Sequence, residues 1–312
     1  MTSHAANPDR RREDWLTPDG EPVQRPTHVL AHLSDTHLTA AGIRYNGVLD
    51  ADAALERAVA VLRDAVRAGR HPDAVVVSGD LTDTGDPDAY GRLETALSRI
   101  AGDRPTPPMI IFATGNHDVR SMFHRHLLHR DSDDPILQVH DCRGLRIVVL
   151  DSTVARHGHG RLTPEHLRAL RSELATPAPA GSIVVLHHAP LPPPSPMLAY
   201  FALESASRRG LAEAVAGSDV RLILAGHHHL PQSGQLGRVP VAVAGSTAIR
   251  TDPLAPPGHE TTWASGAFNL VEIYPDTFAV SMIPVDGAAR VFDLDATGCA
   301  QVIDAHPVDQ AT

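Results

Sequence analysis

Met109-Ile110-Ile111-Phe112-Ala113-Thr114-Gly115-Asn116-His117-Asp118 runs from an aliphatic stretch straight into a polar cluster. The apolar part is too short for a helix and carries the branched and aromatic side chains of a buried strand. Its end supplies an amide, an imidazole and a carboxylate in succession. The same arrangement recurs along the chain. Residues 29–33 lead into Asp35-Thr36-His37, 74–78 into Gly79-Asp80, 183–186 into His187-His188, and 222–225 into Gly226-His227-His228-His229. In an open α/β sheet ligands sit at the carboxyl ends of the strands, so clusters on five separate strands can meet in one crevice.

Amphipathic helices separate these strands. Leu55, Val59, Leu62 and Val66 recur at helical spacing, and Asp86-Pro87 is a cap with proline in the first turn, leading to Leu93, Leu97 and Ile100. Thr163-Pro164 opens a third helix with Leu167, Leu170 and Leu174 on one face. Further strands are expected at 145–150 and 239–244; the runs 268–274 and 277–284 then follow each other with no helix between them, as an antiparallel return would. The predicted fold class is α/β: a two-sheet β-sandwich flanked by helices, in four αββα layers. It is expected to occupy residues 27–286, between a flexible N-terminal arm (1–26) and a C-terminal tail (287–312). The prolines of 191–196 read as a stiff loop.

The chain has 312 residues and a formal net charge of −10, which argues against holding long nucleic acid through its phosphates. Its two cysteines, Cys142 and Cys299, are too few for a disulfide framework and suit a reducing, cytoplasmic compartment. Residues 1–26 lack the apolar segment of a signal peptide, and no run of about 18 apolar residues occurs, so no transmembrane segment is expected. Twenty histidines invite a metal search. His4, His71, His124, His126, His129 and His306 read as surface residues without a special role, and His157 and His159, among glycines, as a mobile surface loop.

Carboxylate, imidazole and amide oxygen without thiolate is a donor set for hard-to-borderline metal ions. Asp35 and His37, two apart on extended chain, can chelate one ion, and His227 and His229 repeat that spacing. Asp80, following a glycine at a strand end, is the candidate bridge between two ions. His188 and His228 would point away from them. Asp83 can either accept from a ligating histidine or cap its loop.

The series Asp35-x-His37, Gly79-Asp80, Gly115-Asn116-His117-Asp118, His187 and Gly226-His227-x-His229 resembles the motifs of calcineurin-like metallophosphoesterases, over residues 29–284. Within them the chain is similar to bacterial class III cyclic-nucleotide phosphodiesterases, especially the actinobacterial branch. Leu33-Ser34-Asp35-Thr36-His37-Leu38, Leu49-Asp50-Ala51-Asp52 and Leu174-Ala175-Thr176-Pro177-Ala178-Pro179 carry that closer likeness. The resemblance implies one metal on Asp35, His37 and His229, another on Asn116, His187 and His227, and Asp80 bridging them. It implies iron with manganese, or two manganese ions, with zinc able to substitute.

It further implies that a metal-bridging hydroxide attacks a small phosphodiester, a 3′,5′-cyclic nucleotide such as cAMP, to give the 5′-monophosphate. His117 would protonate the leaving oxygen, and Asp118 would orient His117 or a neighbouring ligand. Substrate contacts would fall on His37, Asp80, Asn116, His117 and His229. Tyr45, Asn46 and residues 190–197 are the nearest candidates for base contact. A homodimer is expected through residues 247–275, where Trp263 and Phe268 otherwise lack an explanation. The purple acid phosphatase pattern has tyrosine where this chain has Asp83; protein serine/threonine phosphatases have Asp-Arg-Gly where it has Asp83-Thr84-Gly85, and glutamate at Asp118. The alternatives are a broad small-molecule phosphodiesterase or phosphomonoesterase, taking 2′,3′-cyclic nucleotides among others, and a non-catalytic interaction module on the same fold.

Overall fold

The structure, a computed structural model, describes residues 16–17, 19–102 and 106–306. In chain order the elements are β1 (His28–Leu33), α1 (Ala51–Arg67), β2 (Ala74–Val77), α2 (Pro87–Ser98), β3 (Met109–Phe112), α3 (Arg120–Leu127), β4 (Leu137–Cys142) and β5 (Leu145–Leu150). A small hairpin, β6 (Thr153–Val154) and β7 (His157–Gly160), precedes α4 (Pro164–Glu173), β8 (Ser182–His188), α5 (Pro196–Tyr200), α6 (Ser205–Val215) and β9 (Val220–Gly226). Then come β10 (Gln232–Leu236), β11 (Val239–Val243), the ribbon β12 (Arg250–Thr251) and β13 (Thr262–Trp263), β14 (Ala267–Ile273), β15 (Phe278–Pro284) and α7 (Ala296–Ala305).

Two sheets result, in the orders β15-β14-β1-β2-β3 and β10-β11-β9-β8-β5-β4. β1, β2 and β3 pair in parallel, as do β5, β8, β9 and β11, while β4, β10, β14 and β15 add antiparallel neighbours. Alternation along each strand builds the layers. Leu30, Val76, Ile147, Val185, Leu224 and Val271 meet between the sheets. On β1 and β2 the other face, with Ala31, Leu33, Val75 and Val77, packs on Leu55, Val59, Leu62, Leu93 and Leu97 of α1 and α2. Val148, Val184 and Ile223 likewise face Leu170 and Leu211 of α4 and α6. This is the expected four-layer αββα sandwich.

The helix starts are where the caps put them. The Asp50, Asp86 and Thr163 side chains accept from the backbone N–H of Ala53, Ala89 and His166, and proline follows in the first turn of α2 and α4. Sequence reasoning did not find α3, α6 or β4. β4 alternates half-buried and exposed residues on a sheet edge, and α6 carries a glycine at its centre with only Ser207, Leu211, Ala214 and Val215 buried. His124, expected on the surface, is buried, and its Nε2 donates to the Asp134 carbonyl at 2.8 Å, closing α3 onto the following loop. Phe268, expected at a subunit interface, is 1 % exposed in the core, because its place on β14 turns it toward α1 and α2. Of the N-terminal arm, residues 1–15 and 18 lie outside the described residues, as do 307–312 of the tail, whose described part contains α7. No described helix is long and apolar enough to cross a membrane.

Candidate metal centre

The turns after β1, β2 and β9 set the centre. Asp35, His37, Asp80, His227 and His229 all have φ between 45° and 70°, a left-handed conformation that costs a non-glycine residue on the order of 1 kcal/mol or more. Five such residues at one place need over-determined surroundings. Asp35 N–H donates to Gly79 O at 2.9 Å and His37 N–H to Asp80 O at 3.0 Å; Asp35 Oδ2 accepts from His227 N–H at 3.0 Å. The Ser246 hydroxyl adds a 2.6 Å bond to the Asp35 carbonyl. Two glycines permit the close approach: a Cβ on Gly115 would stand 2.2 Å from Asp80 N, and one on Gly226 1.9 Å from Ser34 Oγ.

Of three groups of ligand atoms within 4.8 Å, one is His37, Asp83 and His117, and two bear on the centre: Asp35, His37, Asp80 and His229 in one, Asp80, His187 and His227 in the other. Asp80 is common to both. Its Oδ2 lies 3.8 Å from His37 Nε2 and 3.2 Å from His187 Nε2. His229 Nε2 is 3.2 Å from Asp35 Oδ1 and 3.0 Å from His37 Nε2. On two of the rings the far side fixes the tautomer. His187 Nδ1 donates to Ser78 O at 2.8 Å, leaving the Nε2 lone pair toward Asp80; His227 Nε2 donates to Phe201 O at 3.0 Å, leaving Nδ1 free to ligate.

The donor set fits a pair of cations. Asn116 Oδ1 and His227 Nδ1 are buried with no hydrogen-bond partner among the described residues, a costly state for polar atoms unless an ion takes their lone pairs. Burial would raise the Asp80 carboxyl, but the His187, His117 and His37 rings around it outweigh that and hold it well below the usual range. Burial would lower His187, but the Asp80 and Asp35 carboxylates push it up to about 9. A proton and a metal ion compete for that electron pair.

Around these groups the remaining expectations divide. Asp83, left open between two roles, accepts from His117: its Oδ1 is 3.1 Å and its carbonyl 3.0 Å from His117 Nδ1, and Oδ1 is 3.6 Å from His37 Nδ1. His117 thus turns Nε2 outward, on a ring still 38 % exposed. Burial alone would lower its pKa; the Asp83 hydrogen bond and the Asp80 charge push it up to about 10.

The Asp118 carboxylate is hydrogen-bonded elsewhere than to the His117 ring. It accepts from the backbone N–H of Gly115 at 2.9 Å, Thr82 at 3.1 Å and Leu81 at 3.2 Å, and from Tyr90 OH at 3.1 Å. It ties the loop of Asp80 to that of Asn116, so of the two roles expected for it, orienting His117 or a neighbouring ligand, these hydrogen bonds go with the second. His188 and His228 stay outside both groups, held by Ser152 Oγ with Gly158 O and by Gln232 Oε1. His157 and His159 form β7, where His159 Nε2 lies 3.4 Å from Glu204. Sequence reasoning missed the positioning carbonyls of Ser78 and Phe201, which no side-chain pattern reveals.

Residues 28–231, the span holding Asp35, His37, Asp80, Asn116, His187, His227 and His229, match the calcineurin-like phosphoesterase family. The chain belongs to the calcineurin-like phosphoesterase family. A probable cyclic nucleotide phosphodiesterase of Rhodococcus erythropolis is 42 % identical to this phosphoesterase over 86 % of the chain and 87 % of that protein. A cAMP/cGMP dual specificity phosphodiesterase of Mycobacterium tuberculosis is 37 % identical over 89 % of the chain and 86 % of that protein. Among solved structures, a dimetal phosphatase from Danio rerio superposes with a TM-score of 0.59 at 14 % identity, covering 84 % of this chain and 97 % of its own. At that identity the likeness shows the fold alone. The metallophosphoesterase is therefore a hydrolase with a dinuclear centre, built where its strands end.

Proposed function

We propose that this metallophosphoesterase cleaves 3′,5′-cyclic nucleotides, cAMP among them, to 5′-monophosphates. The observation that carries the reading is the sharing of Asp80 between two buried ligand groups beside a half-exposed, tethered His117. The relatives in Rhodococcus and Mycobacterium, named for cyclic nucleotides, support the substrate class. In this reading Asp35, His37 and His229 hold one cation, Asn116, His187 and His227 the other, and Asp80 both. When bound, the cations supply Lewis acidity, a water made nucleophilic near neutral pH and neutralisation of phosphoryl charge.

The chain's own groups do the rest. Asn116, His37, Asp80 and His229 border the place where the phosphate would lie. His117 Nε2 hands a proton to the leaving 3′ oxygen while Asp83 keeps hold of Nδ1. Asp118 maintains the distance between the Asp80 and Asn116 loops.

The metals are proposed to be iron with manganese, or two manganese ions, with zinc able to replace them, since the donors are oxygen and nitrogen without sulfur. The catalytic unit is taken as residues 27–286 of a cytoplasmic enzyme. A homodimer through residues 247–275 would use the exposed Leu254 and Trp263; light scattering at micromolar concentration would give twice the chain mass, and a monomer mass would remove it. The substrate is tested by kcat/KM on 3′,5′-cAMP, 3′,5′-cGMP, 2′,3′-cyclic nucleotides and a phosphomonoester, with one metal-loaded preparation. The 3′,5′-cyclic nucleotides should be cleaved efficiently. A preference of more than about 100-fold for the 2′,3′-cyclic nucleotides or the monoester would transfer the assignment to a general phosphoesterase.

A further inference from the structure

A cavity of about 360 Å³ opens beside His229. Ile249, Met282 and Pro284 wall it, and Arg250 and Ser265 supply its polar lining. Its placement follows from the fold. Thr251 N–H donates to the His229 carbonyl at 3.2 Å, which pins β12 against the metal centre and brings Arg250 to the cavity. Among the described residues, the Arg250 guanidinium has no hydrogen bond or ion pair. The nearest acid in sequence, Asp252, already accepts from Leu254 N–H at 2.9 Å through Oδ1 and from the Trp263 indole at 3.0 Å through Oδ2. Arg250 acts on Asp252 through its charge alone, after the Trp263 and Leu254 hydrogen bonds that hold that carboxyl down, so its N–H groups remain for a ligand. An apolar cavity of this size with one donor-only side chain is built for a flat ligand that offers acceptors.

We propose that this cavity is the nucleobase subsite and that Arg250 is a specificity-determining residue within it. The proposal rests on the cyclic-nucleotide reading above. Phosphate at the paired cations leaves the nucleoside to extend past His229, and the cavity adjoins that ligand. The flat base lies between Ile249 and Met282, whose thioether suits an aromatic face. Arg250 then reads its edge. Guanine presents two adjacent acceptors, O6 and N7, which a guanidinium binds in a fork; adenine presents N7 beside an amino donor that opposes Arg250. Arg250 therefore favours guanine, and cGMP should be taken at least as well as cAMP.

Arg250→Met, Arg250→Lys and Ala267→Leu test this, the last filling the cavity from its wall. The readouts are kcat/KM for 3′,5′-cGMP and 3′,5′-cAMP, and the affinities of 5′-GMP and 5′-AMP by titration calorimetry. Arg250→Met should lower both guanine values about ten-fold or more and the adenine values by no more than about three-fold, with Arg250→Lys between Arg250→Met and wild type. Ala267→Leu should raise KM for both bases together. Equal losses on the two bases in Arg250→Met, no loss in it, or an unchanged KM in Ala267→Leu would each overturn the subsite. A wild-type enzyme that cleaves bis(p-nitrophenyl) phosphate but neither 3′,5′-cyclic nucleotide would instead overturn the proposed function, and the subsite with it.

Discussion

His117 and Asp83 make the sharpest residue-scale case. With Nδ1 committed to Asp83 and Nε2 outward, His117→Ala should retain both metals and lose about 100-fold or more in rate on esters with poor leaving groups. A p-nitrophenyl diester leaves without help, so its loss should be much smaller; equal losses on aryl and alkyl diesters would remove His117 from proton transfer. Asp83→Ala releases His117 and removes the carboxylate 3.6 Å from His37 Nδ1, and should cost about 10- to 100-fold in activity or metal affinity, read by steady-state kinetics and metal titration. The donor clusters were legible because each follows an apolar run directly. The partners of Asp83 and Asp118 were not. Both carboxylates reach across to other loops, and which loop faces which depends on the parallel pairing of β2 with β3 rather than on spacing in the chain.

At the scale of elements, the centre depends on tight turns at strand ends, and Gly226 shows how little room they leave. A Cβ there would stand 1.9 Å from Ser34 Oγ and 2.7 Å from Asp35 Oδ2, so Gly226→Ala must push β9 away from the loop of Asp35. The expected result is a lower Tm together with loss of metal, measured by thermal unfolding and elemental analysis; wild-type metal content in this variant would show that the approach is not needed. β1, β2, β3, β5, β8, β9 and β11 were readable as apolar runs, α1 from its helical spacing, and α2 and α4 from their caps and leucine spacing. α6 was not, since Gly210 lies at its centre and the sequence between α5 and β9 offers only weak periodicity. β4 is an edge strand whose alternating half-burial arises from pairing with β5, a contact the local sequence does not encode.

For the whole molecule, the two-sheet core carries a pH dependence of its own. His32 is fully buried, with Nε2 2.9 Å from Ser78 Oγ, and burial pushes its pKa down to about 3 against a slight opposing pull from Asp35. The unfolded chain takes up this proton near pH 6.5 and the folded one does not, so stability is unaffected above that pH and falls as pH drops below it. The slope from this one group approaches about 1.4 kcal/mol per pH unit between roughly pH 6 and 3. Denaturant unfolding of metal-free protein should show the decline below pH 6.5, and His32→Gln should reduce its slope by one proton's share, since burial pushes His188 down to about 3 as well; an unchanged slope in that variant would assign the decline elsewhere. Strand-end clusters from both sheets converge on two ligand groups that share Asp80, proposed to hold two cations. Elemental analysis of the purified wild type beside Asp80→Ala tests this proposal most directly. The wild type should hold close to two transition-metal equivalents per chain, and Asp80→Ala should lose tight binding at both sites. A wild type holding far fewer than two, or an Asp80→Ala that keeps both, would contradict it.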